Sequence, residues 1–498
     1  LATVVTRAPW FGDLAYHEDE NYYLVFAKAM HQGAVPYVDV WDRKPFGLFI
    51  IYWLIAFLPG NGIEATQLVA GLFAFCTALT ISSIVRRFYP AIPACFAGVA
   101  YLACLPMLIG AGGQSPVFYN LFIVLAVSLL LPSADRQAQD EMPIRRAYIA
   151  MLLCGLAITV KPTAIVEGVF MGIVAAYHAL HPASPSGRTR WVRIIQFALL
   201  GAAPTLMIFF GFAAIGKFED YWFASIRSVG LKAPQSLDVT IQVAKWLSLI
   251  LCPLILMSVA GAHYLVRTPD KKTVAVFLVC WMFAALGGFL MIPNFWDHYA
   301  LPLLPPLVVL ASPIFARKGT GFLWLLVLII WAALISGWPD RSRVLERRGY
   351  IEQLARAIDG ARHGGCFYLF EGPPVLYALT DACHVTSRLF PQHMSFSLES
   401  PAIGLDPSEE MRRILSRRPA VIALSHTPLV RPHNEATRAI LMQGLQRNYR
   451  LIARLPMNEA HRPRYEMEVW ALPAPPPHRR FTAPGSKSDH LLAFSKQF

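Results

Sequence analysis

Ten apolar runs of helical length limit this chain more than any other feature. They lie at roughly 62–85, 90–110, 117–132, 147–160, 164–180, 193–215, 239–266, 273–292, 301–316 and 319–338. A helix crosses a bilayer core with about 20 apolar residues, and every backbone polar group must then be satisfied within the segment. Only 15% of the 498 residues are charged and 55% are hydrophobic, whereas a soluble domain carries about 25% charge. The expected class is a polytopic α-helical membrane protein with ten spans. A further run, 46–58, reads FGLFIIYWLIAFL. It is too short to cross and is expected to be a re-entrant or interfacial helix along the membrane surface.

Charge in the loops sets an orientation. Arg86 and Arg87, then Arg136, Arg145 and Arg146, then Arg188, Arg190 and Arg193, then Arg267, Lys271 and Lys272, then Arg317 and Lys318 fall in every second loop. The loops at 110–116 and 292–300 hold no Lys or Arg, 160–163 holds only Lys161, and 217–236 holds three over twenty residues. The positive-inside rule makes the basic loops cytoplasmic. The loop at 17–45 and everything after 338 then face outside. Much of the net charge of +13 sits in these short loops, so it is a topology signal and no nucleic-acid partner is expected. An outer loop at the start of the chain needs a helix to carry it across. Residues 1–8 are therefore expected to be the outer end of a further span, making eleven.

After 338 the composition turns Arg-rich. Short apolar stretches at 366–370, 421–425, 449–455 and 466–472 read as strands, with helical stretches at 343–361, 408–417 and 434–447. This predicts a small outer α/β domain over 339–472, with a disordered tail at 473–498. The remaining divisions are a first outer loop with surface helices over 1–61 and a helical bundle over 62–338. Six of the eight cysteines lie in or beside apolar runs and are read as small core residues. Cys366 and Cys383 lie outside the membrane region, where an outward compartment permits a disulfide.

The densest block of charged and aromatic residues is 17–45, HEDENYYLVFAKAMHQGAVPYVDVWDRKP. Tyr22, Tyr23, Phe26, Ala27 and Met30 recur at helical spacing, so Glu18, Asp19 and Glu20 sit at a helix start. Gly33 and Pro36 end that helix. An acidic helix start is ordinarily a hydrated one favoured by the helix dipole. At the mouth of a membrane bundle, Asp19 and Glu20 can instead supply a general base and its orienting partner. Arg43 and Lys44 are either a solvated pair or a phosphate clamp near a lipid headgroup. Asp297, His298 and Tyr299 lie at the lip of the 301–316 span, as interfacial belt residues or as hydrogen-bond donors to a phosphate. Lys161 can bind phosphate or snorkel, and Glu167 can pair with it as a structural contact. There is no Walker A, G-x-G-x-x-G or H-E-x-x-H motif and no Cys/His metal spacing, so no nucleotide cofactor is implied.

The run Asp19-Glu20-x-Tyr22, Ala27, Gly33-x-x-Pro36-Tyr37-x-Asp39 and Asp42-x-Lys44-Pro45 resembles the first outer loop of the protein mannosyltransferase and aminoarabinose transferase superfamily, in its bacterial branch. The resemblance spans about 10–340 and takes in His298-Tyr299-x-Leu301-Pro302 and Lys161-Pro162-Thr163. Phe46 departs from it, where many relatives carry a second proline. It implies a GT-C fold and an inverting transfer of a sugar from a polyprenyl-phosphate donor, in the bacterial inner membrane with the active site on the periplasmic side. The acceptor it implies is a cell-envelope molecule: lipid A or core sugar, another glycan, or protein. Carried onto this sequence, Asp19 is the catalytic base with Glu20 in support. Lys44 is the cation on the donor phosphate, joined by Arg43, Lys161, His298 and Tyr299. Tyr22, Tyr37, Asp42 and Asp297 are expected to bind substrate. A lipid-monophosphate leaving group held by Lys or Arg requires no metal, and none is expected. Two other readings stand beside this one: a transporter or flippase for a lipid-linked saccharide, and a scaffold whose outer domain does the binding. No convincing internal repeat supports the transporter, and the intact acid and cation residues argue against the scaffold.

Overall fold

The computed structural model describes residues 1–473 except 61, 133–142, 181–186, 293–294, 338–339 and 460–463. The expected disordered tail from 474 onward, Arg136 in its loop and Asn294 lie outside the described residues. In chain order the first elements are α1 (Ala2–Arg7), α2 (Glu18–His31) and α3 (Phe46–Ile55). All ten apolar runs then form helices. They are α4 (Ile63–Arg86), α5 (Ala91–Cys104), α6 (Ser115–Leu130), α7 (Ile144–Val160), α8 (Ile165–Leu180) and α9 (Arg188–Ala214). After two short helices, α10 (Phe218–Trp222) and α11 (Ser228–Leu231), come α12 (Leu237–Arg267), α13 (Lys272–Leu290), α14 (Leu304–Phe315) and α15 (Gly321–Ser336). Among the described residues, eight helical segments are long and apolar enough to cross a membrane by length and composition alone, while α6 and α7 are shorter. The protein is a multi-pass membrane protein.

Every residue of α14 is buried, which makes it the central helix. The 3-10 helix Asp297–Leu303 runs directly into it, so His298 and Tyr299 hang from the most constrained part of the bundle. By contrast α9 leaves Leu199, Met207 and Phe210 exposed, as suits a helix facing hydrocarbon. α3 buries Leu48, Phe49, Tyr52 and Ile55 and exposes Leu54. A Cβ on Gly47 would lie 2.4 Å from the Thr159 hydroxyl, so glycine lets α3 press onto the end of α7.

The C-terminal domain begins with α16 (Arg341–Arg362), capped by the Asp340 side chain. Its four strands are β1 (Phe367–Leu369), β2 (Val421–Ser425), β3 (Arg450–Met457) and β4 (Tyr465–Ala471), in the order β1-β2-β4-β3. β1 and β2 are parallel, and β4 is antiparallel to both of its neighbours. The helices α17 (Val375–Thr380), α18 (Gln392–Ser395), α19 (Pro407–Ser416) and α20 (Glu435–Asn448) lie between the strands. Cys366 and Cys383 are disulfide-bonded across the β1–α17 unit.

Arginines of α16 tie this domain to the N-terminal segment. Arg347 makes a buried ion pair with Asp13, Arg348 reaches Glu64 at 3.0 Å, and Arg341 bonds the Phe11 carbonyl. Both side chains of the first pair are at most 5% exposed, so losing one partner strands a buried charge. Arg347→Ala is expected to cost about 3–5 kcal/mol, read as a lower thermal-unfolding midpoint in detergent. The double variant Asp13→Asn/Arg347→Met should recover much of that loss.

Candidate active site

A cavity of about 800 Å³ lies between the bundle and the C-terminal domain. Its bundle side is built from residues of the loop segments at 16–19, 42–45, 109–115, 160–163, 229–232, 291–292 and 296–299, with Gln242, Val243 and Trp246 of α12, and its other side from residues of 390–399 and 429–431 with Glu459. Each of these loop segments belongs to a loop poor in Lys and Arg, or to the 17–45 loop. The segments that the charge pattern assigns to one side thus meet at one end of the molecule.

Asp19 stands at the first turn of α2. His17 is the N-cap residue, and its Nδ1 accepts from the Asp19 amide at 3.2 Å and lies 2.8 Å from Gln114 Nε2. The Asp19 carboxylate is met on one oxygen, Oδ2, by Lys44 Nζ at 3.6 Å, His298 Nε2 at 3.7 Å and the donating Tyr23 hydroxyl at 3.3 Å. Burial alone would raise the pKa of Asp19. Lys44 above all, then His17, His298 and Lys161, outweigh it and hold the carboxyl below the usual carboxylate range. Burial would likewise lower Lys44, but Asp19 holds that ammonium above its usual value.

Glu20 is next in sequence and opposite in environment. It does not line the cavity and is only 6% exposed. It packs on Gly112, where a Cβ would lie 2.0 Å from its carboxylate. That strand of loop is pinned by Arg7, which donates to the Gly110 and Gly112 carbonyls at 2.9 and 2.7 Å. Burial pushes Glu20 up to about 8. The two adjacent carboxyls thus have environments that drive their pKa values apart.

The turn after α2 places Lys44. Asp42 Oδ1 accepts from the Lys44 amide at 2.9 Å, and the Tyr37 hydroxyl donates to the Lys44 carbonyl at 2.9 Å. Tyr22 donates to the Trp41 carbonyl at 2.7 Å. Asp42 and Asp297 line the cavity, whereas Tyr22 and Tyr37 are buried behind the turn and do not. Lys161 Nζ lies 3.7 Å from the centre of the Tyr299 ring. Burial first, then Lys44, pushes that amine down to about 7. Glu167 does not serve Lys161: its carboxylate accepts from Trp281 Nε1 at 2.8 Å inside the bundle. Arg43 is committed to Glu399 of the C-terminal domain, which Lys232 also holds at 2.7 Å.

The cavity thus gathers Asp19, Asp42, Arg43, Lys44, Lys161, Asp297, His298 and Tyr299, from four separate stretches of sequence. Sequence reasoning missed His17, Lys232, His393 and Glu399. His17 precedes the acidic run directly, but histidine is an unusual N-cap. Lys232 and Glu399 carry no local signal, because only the docking of the two domains joins them. What results is a half-buried carboxylate beside two lysine side chains, in a chamber lined by both the bundle and the C-terminal domain. It can accept a proton at Asp19 while a phosphate gathers charge at the lysines.

No family model matches the sequence, and no curated protein matches it. Among solved structures the chain is similar to ArnT from Cupriavidus metallidurans in the apo state, with TM-score 0.63 and 12% identity. It is also similar to the same protein bound to undecaprenyl phosphate, with TM-score 0.60 and 12% identity. Each likeness covers 94% of this chain and 97% of that one. The fold is that of the polytopic GT-C membrane proteins.

Proposed function

We propose that the protein is an inverting glycosyltransferase, moving a sugar from a polyprenyl-phosphate donor to a cell-envelope acceptor on the periplasmic face of the inner membrane. The observation that carries this reading is the placing of Asp19 against Lys44 and His298, on the wall of a chamber between bundle and outer domain. The shared fold with a protein whose structure holds undecaprenyl phosphate supports the lipid-phosphate donor.

An acceptor hydroxyl enters beside Asp19 and attacks the anomeric carbon. The new C–O bond forms as the bond from that carbon to the phosphate oxygen breaks, and the polyprenyl phosphate departs. Asp19 takes the hydroxyl proton. Among the described residues its contacts gather on Oδ2, so Oδ1 is the oxygen left to receive that proton. Lys44 and Lys161 face the departing phosphate, with His298 and Tyr299 in reach of its oxygens. Glu20 supports Asp19 by fixing the first turn of α2 against the 110–113 loop. Asp42 and Tyr37 hold the Lys44 turn, Asp297 lines the sugar side, and Tyr22 fixes Trp41 behind it.

A strongly depressed carboxylate is a weak base, and the Lys44 pair accounts for how it is freed. When the donor phosphate draws Lys44 to itself, Asp19 loses its nearest cation and its basicity rises. Donor binding therefore readies the base. The acceptor class is lipid A or core sugar, another glycan or protein. The test is a transfer assay with purified protein, offering radiolabelled polyprenyl-phosphate hexoses, pentoses and uronic acids singly against membrane-derived acceptors. Label is expected in one product class from one donor. Lipid-linked sugar crossing vesicles with no transfer product would instead favour a flippase.

A further inference from the structure

Glu399 comes from the C-terminal domain, yet its side chain is 6% exposed within the cavity wall and holds two cations of the membrane part. Arg43 precedes Lys44, and Lys232 belongs to the segment between α11 and α12. The link is reinforced by the backbone, since the Ala233 amide donates to the Leu398 carbonyl at 3.1 Å. Burial would raise the Glu399 carboxyl, but Arg43 and then Lys232 pull it down to about 2, so it is an anion at any working pH.

Glu399 acts on cations that also act on Lys44. Asp19 is coupled to Lys44 and Lys161, Lys44 to Asp42 and Arg43, and Lys232 to Glu399, Arg43 and Lys44. Asp297 lies on the wall but is shifted by burial alone. Glu399 thus cancels one unit of the positive charge that Arg43 and Lys232 bring to the wall beside Lys44. A polyprenyl phosphate bonded to a sugar is a phosphodiester and carries one negative charge. The corresponding diphosphate carries two. Without Glu399 the chamber would carry one more positive charge, which is the difference between the two lipids.

We propose that Glu399 is a specificity-determining residue which, by neutralising Arg43 and Lys232, sets the chamber for a lipid monophosphate and against a lipid diphosphate. The inference rests on the glycosyltransferase reading only in taking a lipid phosphate as the ligand. Arg43 and Lys232 are the cations that a second phosphate would need, and the carboxylate occupies them instead. It also ties donor choice to the outer domain.

The test measures binding of an undecaprenyl-phosphate hexose and the matching undecaprenyl-diphosphate hexose to the full chain in nanodiscs. Wild type, Glu399→Gln and the charge-restoring double variant Arg43→Gln/Glu399→Gln are compared at one salt concentration. Wild type should prefer the monophosphate. Glu399→Gln should move the ratio of affinities about tenfold or more toward the diphosphate, and the double variant should move it back. A purely structural role for Glu399 would weaken both lipids together and would not be reversed by a second loss of charge. Monophosphate binding by wild type with an unchanged ratio in Glu399→Gln, or a double variant that keeps the shifted ratio, would overturn the proposal and leave the glycosyltransferase reading standing. Wild type that binds neither lipid would overturn both.

Discussion

Asp19→Asn lowers kcat for sugar transfer by about 10³-fold or more, while the protein still inserts and folds. General-base catalysis is worth about 10²–10⁴-fold, and Asn cannot take the acceptor proton. The same change leaves donor binding equal or tighter, so KM for the donor stays level or falls. The reason is competition. In the free protein Lys44 is shared with Asp19 at 3.6 Å, and a phosphate must draw it away. Asn keeps the shape of the carboxylate and removes its claim on that ammonium. A fall in kcat beside a steady or lower donor KM therefore marks a base paired with the phosphate cation. A mere support of the fold would raise KM or lose protein. The measurement is steady-state transfer with donor varied at saturating acceptor, with thermal unfolding as the control. Undiminished transfer by Asp19→Asn would remove the assigned base.

The bundle was legible because hydrocarbon is an undemanding solvent. A segment such as 193–215, which leaves Leu199, Met207 and Phe210 exposed, must be apolar along its whole length, and that shows at a glance. In the C-terminal domain, β2 was legible for a related reason: it is buried at every position and reads as a short, mostly apolar run, VIALS. Within the site, the legible part was what lies close in sequence. Asp19 and Lys44 bracket one helix and one turn, so a single stretch announces both. Long-range placing was not legible. Nothing near Glu399 indicates a partner at Arg43, because the contact exists only once the C-terminal domain is docked. The facing of side chains was also hidden. Tyr22 and Tyr37 sit in the resembling motif as squarely as Lys44 does, yet their hydroxyls serve the backbone of the turn. Glu20 differs from Asp19 by one helical step, about 100° of rotation, which turns it from the chamber to the 110–113 loop. Glu167 found Trp281 and not Lys161, since the sequence shows that two groups are near but not which way each points.

Lys44→Gln carries the second large effect, and it appears in two places. The plateau of kcat/KM falls by about 10²–10³-fold, the usual result of removing one group that stabilises developing charge. The acid limb of the pH profile also moves. In the wild type, cations outweigh burial and hold Asp19 below the usual carboxylate range, with Lys44 the largest of them. The free protein therefore keeps its base ionised to below about pH 4, and the acid limb of kcat/KM lies there. Without Lys44, burial is opposed only by weaker neighbours, so the Asp19 pKa rises and the limb moves to higher pH. The sign is the same for stability. A carboxyl depressed on folding stabilises the protein above its unfolded pKa, and that contribution is lost as pH falls through the folded value. Lys44→Gln removes the depression, so the variant is less stable at neutral pH and loses less on acidification. Lys44→Arg keeps a cation by Asp19 and should leave the limb low even where the plateau drops. Profiles of kcat/KM for the three proteins decide the matter, because kcat/KM reports groups of the free enzyme. The wild-type kcat profile adds a check from inside the complex. If the bound phosphate has drawn Lys44 away, the acid limb of kcat lies above that of kcat/KM. Limbs that coincide, or a limb unmoved by Lys44→Gln, would mean that the ion pair does not govern the base and that donor binding does not ready it.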